Sequence, residues 1–264
     1  MRLVTFASGS GGNCALIRGR ETNLLMDAGI SMRRIRAALA RQALTMGDVD
    51  GVLITHEHSD HVYALKTMLK TGPRPIYAPR TVAYHLVNAL PELEAYLRII
   101  PVGAPFALRE FTLTAFATPH DTDESVGYRI EGADGRLGFC TDTGSVTEDM
   151  LSALCGCDAA LIEANHDVDM LRYGPYPAAL KRRILSDHGH LSNDDCADFA
   201  CALAKSGVGS IVLGHLSKEN NTPRKAFETV REALDGEGFG GVELAVAPRD
   251  EDMLLEVTPC CASN

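Results

Sequence analysis

Short apolar runs separated by polar, glycine-rich breaks dominate the first quarter of the chain. This pattern predicts strands joined by tight turns. Residues 3–7 read as an edge strand, followed by the turn Ser8-Gly9-Ser10-Gly11-Gly12-Asn13. Residues 14–18 and 23–26 read as two more strands, the second ending at Asp27-Ala28-Gly29. Ser31 is placed to cap a helix with Met32, Ile35 and Leu39 on its apolar face and Arg33, Arg34, Arg36 and Arg41 on the other. Val52, Leu53 and Ile54 are apolar and mostly β-branched, as a buried strand would be. A helix is expected over 62–70, ended by Gly72-Pro73, then a strand over 75–78 and a helix over 81–90. Apolar and polar residues alternate over 111–117, which predicts a strand stopped by Pro119-His120-Asp121. A hairpin follows, 127–131 against 136–141, with Asp134-Gly135 in the turn.

The second half repeats the scheme of a strand with a polar tip. Residues 159–162 lead into Glu163-Ala164-Asn165-His166-Asp167, and 211–213 lead into Gly214-His215-Leu216-Ser217. Helices are expected over 177–186, 193–205 and 224–234, the last opened by Thr222-Pro223. Strands over 242–246 and 253–257 close the chain. Strands and helices alternate throughout, which predicts an α/β fold. The chain has 264 residues and shows no long linker, low-complexity tract or short repeat, so 1–264 is read as one domain.

The strand at 52–54 runs into Thr55-His56-Glu57-His58-Ser59-Asp60-His61. In extended chain, residues two apart point the same way, so His56 and His58 can reach one metal ion. A turn after Ser59 brings Asp60 and His61 to a second. Imidazole and carboxylate donors suit zinc, manganese or iron. Further polar residues sit at other strand ends: Asp27, His120, Asp142, Glu163 and His215. Each alone would read as a turn or core residue. Their placement after strands, together with the histidine cluster, predicts a dinuclear centre. His56, His58 and His120 would hold one ion, Asp60, His61 and His215 the other, and Asp142 would bridge them. Asp27 fits as an acceptor that orients a ligand histidine.

The His-x-His-x-Asp-His stretch resembles the metallo-β-lactamase superfamily. The resemblance implies an αββα sandwich, two mixed β-sheets flanked by helices, with metal at its mouth. The resemblance narrows further on Ser8 to Asn13, Leu25-Met26-Asp27-Ala28-Gly29, Thr141-Asp142-Thr143-Gly144 and Glu163-Ala164-Asn165-His166-Asp167. Tyr176-Pro177, Gly189-His190-Leu191-Ser192-Asn193 and His215-Leu216-Ser217 with Asn220-Asn221 add to it. These look like the YycJ family, also called WalJ or VicX, of bacterial cytosolic proteins. One departure is Ser-Gly-Gly-Asn where Ser-Ser-Gly-Asn is expected. The family implies a two-metal phosphodiesterase with 5′-to-3′ DNA exonuclease activity, acting through a hydroxide between two divalent ions, zinc or manganese, with iron as a further candidate. The order Glu163, His190, His215 also resembles RNase Z, where a Glu–His pair brings a proton to the leaving oxygen. Carried over, Glu163 orients His190 as general acid, and Asp60 joins them as a catalytic residue. Ser10, Asn13, Lys181, Arg182, Asn220 and Asn221 are candidate substrate contacts. The expected partner is nucleic acid, DNA in the first place.

The formal net charge of −10 argues against sequence-blind adhesion to nucleic acid or anionic membrane, though it leaves room for a local basic groove. No segment approaches the length of a membrane helix. The start, Met-Arg-Leu-Val-Thr-Phe, lacks the apolar core of a signal peptide, so a cytoplasmic protein with reduced thiols is expected. Cys155-x-Cys157 and Cys260-Cys261 lack the spacing of common metal or redox pairs and read as small apolar residues and a loose tail. Two other functions fit the same centre: hydrolysis of a small ester, thioester or lactone, and a non-catalytic role beside a two-component system. The Glu163–His190 pair favours phosphodiesters over the first, and the complete ligand set speaks against the second.

Overall fold

The computed structural model describes residues 1–259. It contains two mixed seven-stranded sheets. The first has the spatial order β14 (Met253–Glu256), β1 (Arg2–Ala7), β2 (Cys14–Arg18), β3 (Asn23–Met26), β4 (Gly51–Leu53), β5 (Ile76–Ala78), β6 (Leu97–Ile99). The second runs β13 (Glu243–Val246), β12 (Ser210–Gly214), β11 (Ala159–Glu163), β10 (Gly135–Cys140), β9 (Val126–Gly132), β8 (Phe111–Ala117), β7 (Pro105–Leu108). Both sheets share one design. Antiparallel strands up to β3 and β10 give way to parallel pairs β3–β4–β5–β6 and β10–β11–β12–β13.

The parallel strands need helical crossovers. These are α1 (Met32–Arg41), α2 (Ser59–Val62), α3 (Leu65–Thr71) and α4 (Arg80–Ala89) on the first sheet. On the second they are α5 (Glu148–Leu154), α6 (Val168–Tyr173), α7 (Ala178–Ile184), α8 (Asn193–Lys205) and α9 (Pro223–Gly236). Alternation within each strand divides the core into layers. Leu24, Met26 and Leu53 pack against Leu113, Tyr128 and Leu161 between the sheets. Leu25, Val52 and Ile54 face Ile35, Leu39 and Met68 under the helices. On the far side, Ile162 and Leu213 face Phe199, Leu203 and Val230. Each central strand is buried on both faces, which is why these strands read as nearly unbroken apolar runs. The result is the αββα sandwich that the resemblance implied.

Several expectations need correction. β1 is interior, because β14 pairs with it antiparallel and takes the edge. The helix expected over 62–70 is two helices: Ala64 N donates 2.8 Å to Ala28 O, and this tie to the β3 tip interrupts it. β6, β7, α5 and α6 were not foreseen. Cys14, Cys140, Cys157, Cys196 and Cys201 are buried and Cys155 is exposed, all as free thiols. Cys260 and Cys261 lie outside the described residues. Among the described residues, no helix is long and apolar enough to cross a membrane.

Candidate metal centre

Strand ends from both sheets converge at one edge of the sandwich. Tyr128 Oη donates 2.7 Å to Ile54 O, and Val126 N donates 3.1 Å to Thr55 O, so the second sheet fixes where β4 releases the chain. From there Thr55 leads into His56, and α2 carries Asp60 and His61. Asp27, Asp142 and His215, each just past a strand, have φ of 59°, 57° and 56°. Left-handed backbone is costly for such residues and is retained where surrounding structure imposes it. The β3 tip also lies directly on α2. A Cβ on Gly29 would fall on the Asp60 carbonyl, so only glycine fits there.

The predicted donors assemble in groups. His56, His58 and His120 present ligand atoms within 4.8 Å of one another, and so do Asp60, His61 and His215. Asp142 lies between: its Oδ2 is 3.3 Å from His61 Nε2 and its Oδ1 is 3.8 Å from His120 Nε2. Asp27 Oδ2 accepts from His61 Nδ1 at 2.8 Å, the orienting contact the sequence suggested.

Nδ1 partners set the tautomers. His120 Nδ1 donates to Gly189 O at 3.1 Å and His61 Nδ1 to Asp27. Thr55 Oγ1 donates to Asp27, so it can accept from His56 Nδ1 at 3.0 Å. Each ring thereby keeps a bare Nε2 turned inward. His56 Nε2, His215 Nε2 and Asp142 Oδ2 are buried and lack a hydrogen-bond partner among the described residues. Buried orphans of this kind are costly, and a divalent cation is the group that satisfies two imidazole lone pairs and a carboxylate together. The donor set therefore fits metal.

Charges compensate each other within the centre. Burial pushes the His56 imidazole well below its usual range. Burial opposes charge on His61 too, but the Asp142 and Asp27 carboxylates hold its proton affinity well above normal. His215 follows the same balance: despite burial, Asp142, Asp60 and Glu163 raise it to about 10. Asp142, although buried, stays far below the usual carboxylate range beside His215 and His61.

A second assembly adjoins the first. Glu163, fully buried at the end of β11, receives four donors. His190 Nδ1 and His215 Nδ1 reach its Oε1 at 2.7 and 2.8 Å, and Thr143 N and Leu191 N reach its Oε2 at 3.0 and 3.3 Å. Burial works against its charge, yet His190 and His215 bring its pKa to about 2. The sequence reading paired Glu163 with His190; the shared bond to His215 was not foreseen. His190 keeps 20% of its side chain exposed, which leaves it open to a substrate.

The remaining candidates fall in different places. Ser10 is exposed on its loop, whereas Asn13 is buried, its Oδ1 accepting from Gly9 N at 2.9 Å and its Nδ2 meeting His61 Nε2 at 3.0 Å. Asn13 is thus part of the wall of the centre. Asn221 is buried and engaged with Asn193 and Ala164 O, so it ties loops together. Asn220 is buried as well, with Oδ1 unpartnered among the described residues. Lys181 spends its ammonium on Arg172 O and Gly174 O, while Arg182 is exposed. The sequence reading passed over three residues. Ser8 Oγ accepts from His215 N at 2.8 Å, Thr55 links Asp27 to two histidines, and Asp121 Oδ1 lies 3.2 Å from His120 Nε2. His166 is buried with both ring nitrogens unpartnered among the described residues.

Residues 22–216 match the family described as Beta-lactamase superfamily domain. The chain is 36% identical over 237 residues to exodeoxyribonuclease YycJ of Bacillus anthracis, covering 89% of each protein. It is 35% identical over 256 residues to exodeoxyribonuclease WalJ of Streptococcus pneumoniae, covering 96% of this chain and 95% of that one. Among solved structures, Zn(2+)-bound PqqB from Methylobacterium extorquens superposes with a TM-score of 0.74 at 19% identity, over 97% of this chain and 100% of that one. The short form of human tRNase Z does so with a TM-score of 0.66 at 19% identity, over 97% and 99%. These two show the shared fold.

Proposed function

The chain belongs to the beta-lactamase superfamily and, within it, to the family of the exodeoxyribonucleases YycJ and WalJ, and we propose that it is a metal-dependent phosphodiesterase that degrades DNA from the 5′ end. The observation that carries this reading is the Glu163–His190 pair, 2.7 Å apart, set against the His56–His215 donor groups. Two divalent ions, zinc or manganese, would be held by His56, His58 and His120 on one side and by Asp60, His61 and His215 on the other, with Asp142 between. When bound they supply Lewis acidity to the phosphate oxygens and an activated water.

The chain's own residues do the rest. Phosphodiester cleavage expels a sugar alkoxide, which needs a proton. Glu163 holds His190 by Nδ1, which leaves Nε2 as the nitrogen that gives the proton to the leaving oxygen. Glu163 itself stays ionised, because two backbone N–H groups and two imidazoles all donate to it. Asp27 and Thr55 keep His61 and His56 in the tautomer that ligation requires. A DNA-directed activity accords with the cytoplasmic location expected from the sequence. The test is turnover by metal-loaded protein of bis-p-nitrophenyl phosphate against an acyl thioester. Hydrolysis of the diester with little thioester turnover is expected; the opposite preference would overturn the proposal.

A further inference from the structure

Between β13 and β14 the chain returns past the end of β1 as a short loop, residues 247–252. The loop is pinned from three sides. Ala247 N donates to Leu213 O at 2.8 Å, and Ser8 N donates to Arg249 O at 3.3 Å. On the third side α1 holds the aspartates. Arg34 lies 2.9 Å from Asp250, and Arg41 makes two bonds to Asp252, at 2.7 and 2.6 Å. The arginine face of α1 thus neutralises the two aspartates of this loop. Arg249, by contrast, is exposed and forms no ion pair among the described residues.

The Arg249 side chain lies against Gly9. A Cβ on Gly9 would stand 3.7 and 4.0 Å from Arg249 Cγ and Nε, and 3.0 Å from Leu216 O, in the residue after His215. Gly9 in turn belongs to the wall of the centre. Gly9 N donates to Asn13 Oδ1 at 2.9 Å, Asn13 Nδ2 meets His61 Nε2 at 3.0 Å, and Ser8 Oγ accepts from His215 N at 2.8 Å. Two further donors sit on the same turn, which Gly12 N closes on Gly9 O at 2.9 Å. Ser10 and Gly11 are exposed, and their N–H groups donate to nothing among the described residues. An unopposed guanidinium beside the metal donors, in a chain of net charge −10, is complementary to an incoming anion. The planar guanidinium matches phosphate oxygens with two parallel N–H groups. We propose that Arg249 grips the DNA backbone at a phosphate adjoining the one that reaches the His56–His215 centre, with the Ser10 and Gly11 amides as further donors. The proposal rests on the phosphodiesterase reading and adds to it where the substrate backbone is held.

The experiment uses the metal-loaded full chain and fluorescent DNA oligonucleotides, single- and double-stranded, with phosphorothioate linkages that resist cleavage. Binding is followed by fluorescence anisotropy over a series of salt concentrations. Each phosphate contact adds about 0.9 to the slope of log affinity against log salt on duplex DNA, and about 0.7 on a single strand. Arg249→Gln should therefore flatten the slope by about that much and weaken binding alike on different sequences. Arg249→Lys keeps the charge and should hold the wild-type slope. Arg2→Gln removes the same charge at the far end of β1 and should also hold it. A merely structural role for Arg249 would not change the number of counterions released. An unchanged slope in Arg249→Gln, or an equal flattening in Arg2→Gln, would overturn the proposal. Turnover of bis-p-nitrophenyl phosphate by wild type reads the chemistry separately. A flattened slope in Arg249→Gln beside a wild type that hydrolyses no diester would defeat the phosphodiesterase reading alone. Diester hydrolysis by wild type beside an unchanged slope in Arg249→Gln would defeat the Arg249 proposal alone.

Discussion

Glu163→Gln is the most informative single change in the centre. It is nearly isosteric, so packing is preserved, but one acceptor oxygen becomes an NH₂ group. The carboxylate now receives two imidazoles on Oε1 and two backbone amides on Oε2. Whichever way the new amide turns, its NH₂ faces a pair of donors. The backbone pair cannot adapt. The imidazole pair can, by moving the proton from Nδ1 to Nε2. In His215 that puts a proton on the atom that ligation needs bare, so proton and metal then compete. Loss of such an orienting partner typically lowers metal affinity about 10- to 100-fold. Any donor left unpaired in the buried site costs about 1–3 kcal/mol. At roughly 2–4 °C per kcal/mol for a chain of this size, Tm should fall by about 2–12 °C. The assay is metal content after equilibration with a competing chelator, with calorimetric unfolding of the metal-free protein. Metal affinity and Tm both equal to wild type would refute the argument that Glu163 sets the tautomers of His190 and His215.

Other changes separate the parts of the site. His190→Ala should lower turnover on DNA by about 10²- to 10⁴-fold, the usual contribution of a general acid, with both metals retained. The loss should be smaller on bis-p-nitrophenyl phosphate, whose leaving group departs without a proton; equal losses would reject the acid role. Gly29→Ala should cost about 1–3 kcal/mol by overpacking and disturb Asp60, seen as a lower Tm together with weaker metal retention. A normal Tm in Gly29→Ala would mean that the β3 tip does not hold α2 in place.

Local chemistry announced much of this protein. The alternation over 111–117 and the helix expected over 193–205 coincide with β8 and α8, because side-chain period is a property of neighbouring residues. Donor residues after strands were legible for the same reason. What escaped depends on partners distant in sequence. Nothing in residues 3–7 says that β14 will cover their edge. β6 is a three-residue edge strand, mostly exposed, and has no pattern to show. The break between α2 and α3 comes from a bond to Ala28, far back in the chain. Glu163 and His215 are 52 residues apart, so their bond could not be read from spacing. For Asn221 and Lys181 the residue type suggested substrate contact, but the fold spends their polar groups on its own loops.

The central claim, a nucleic-acid phosphodiesterase that depends on the His56–His215 donors, is tested most directly on strands labelled at one end. Single-stranded DNA labelled at the 5′ end, and a second sample labelled at the 3′ end, are incubated with protein reconstituted with zinc or manganese and with chelator-treated protein. The account predicts prompt release of the label as a short product from the 5′-labelled strand, progressive shortening of the 3′-labelled one, and neither without metal. Intact strands in the presence of protein carrying a full metal complement would contradict it.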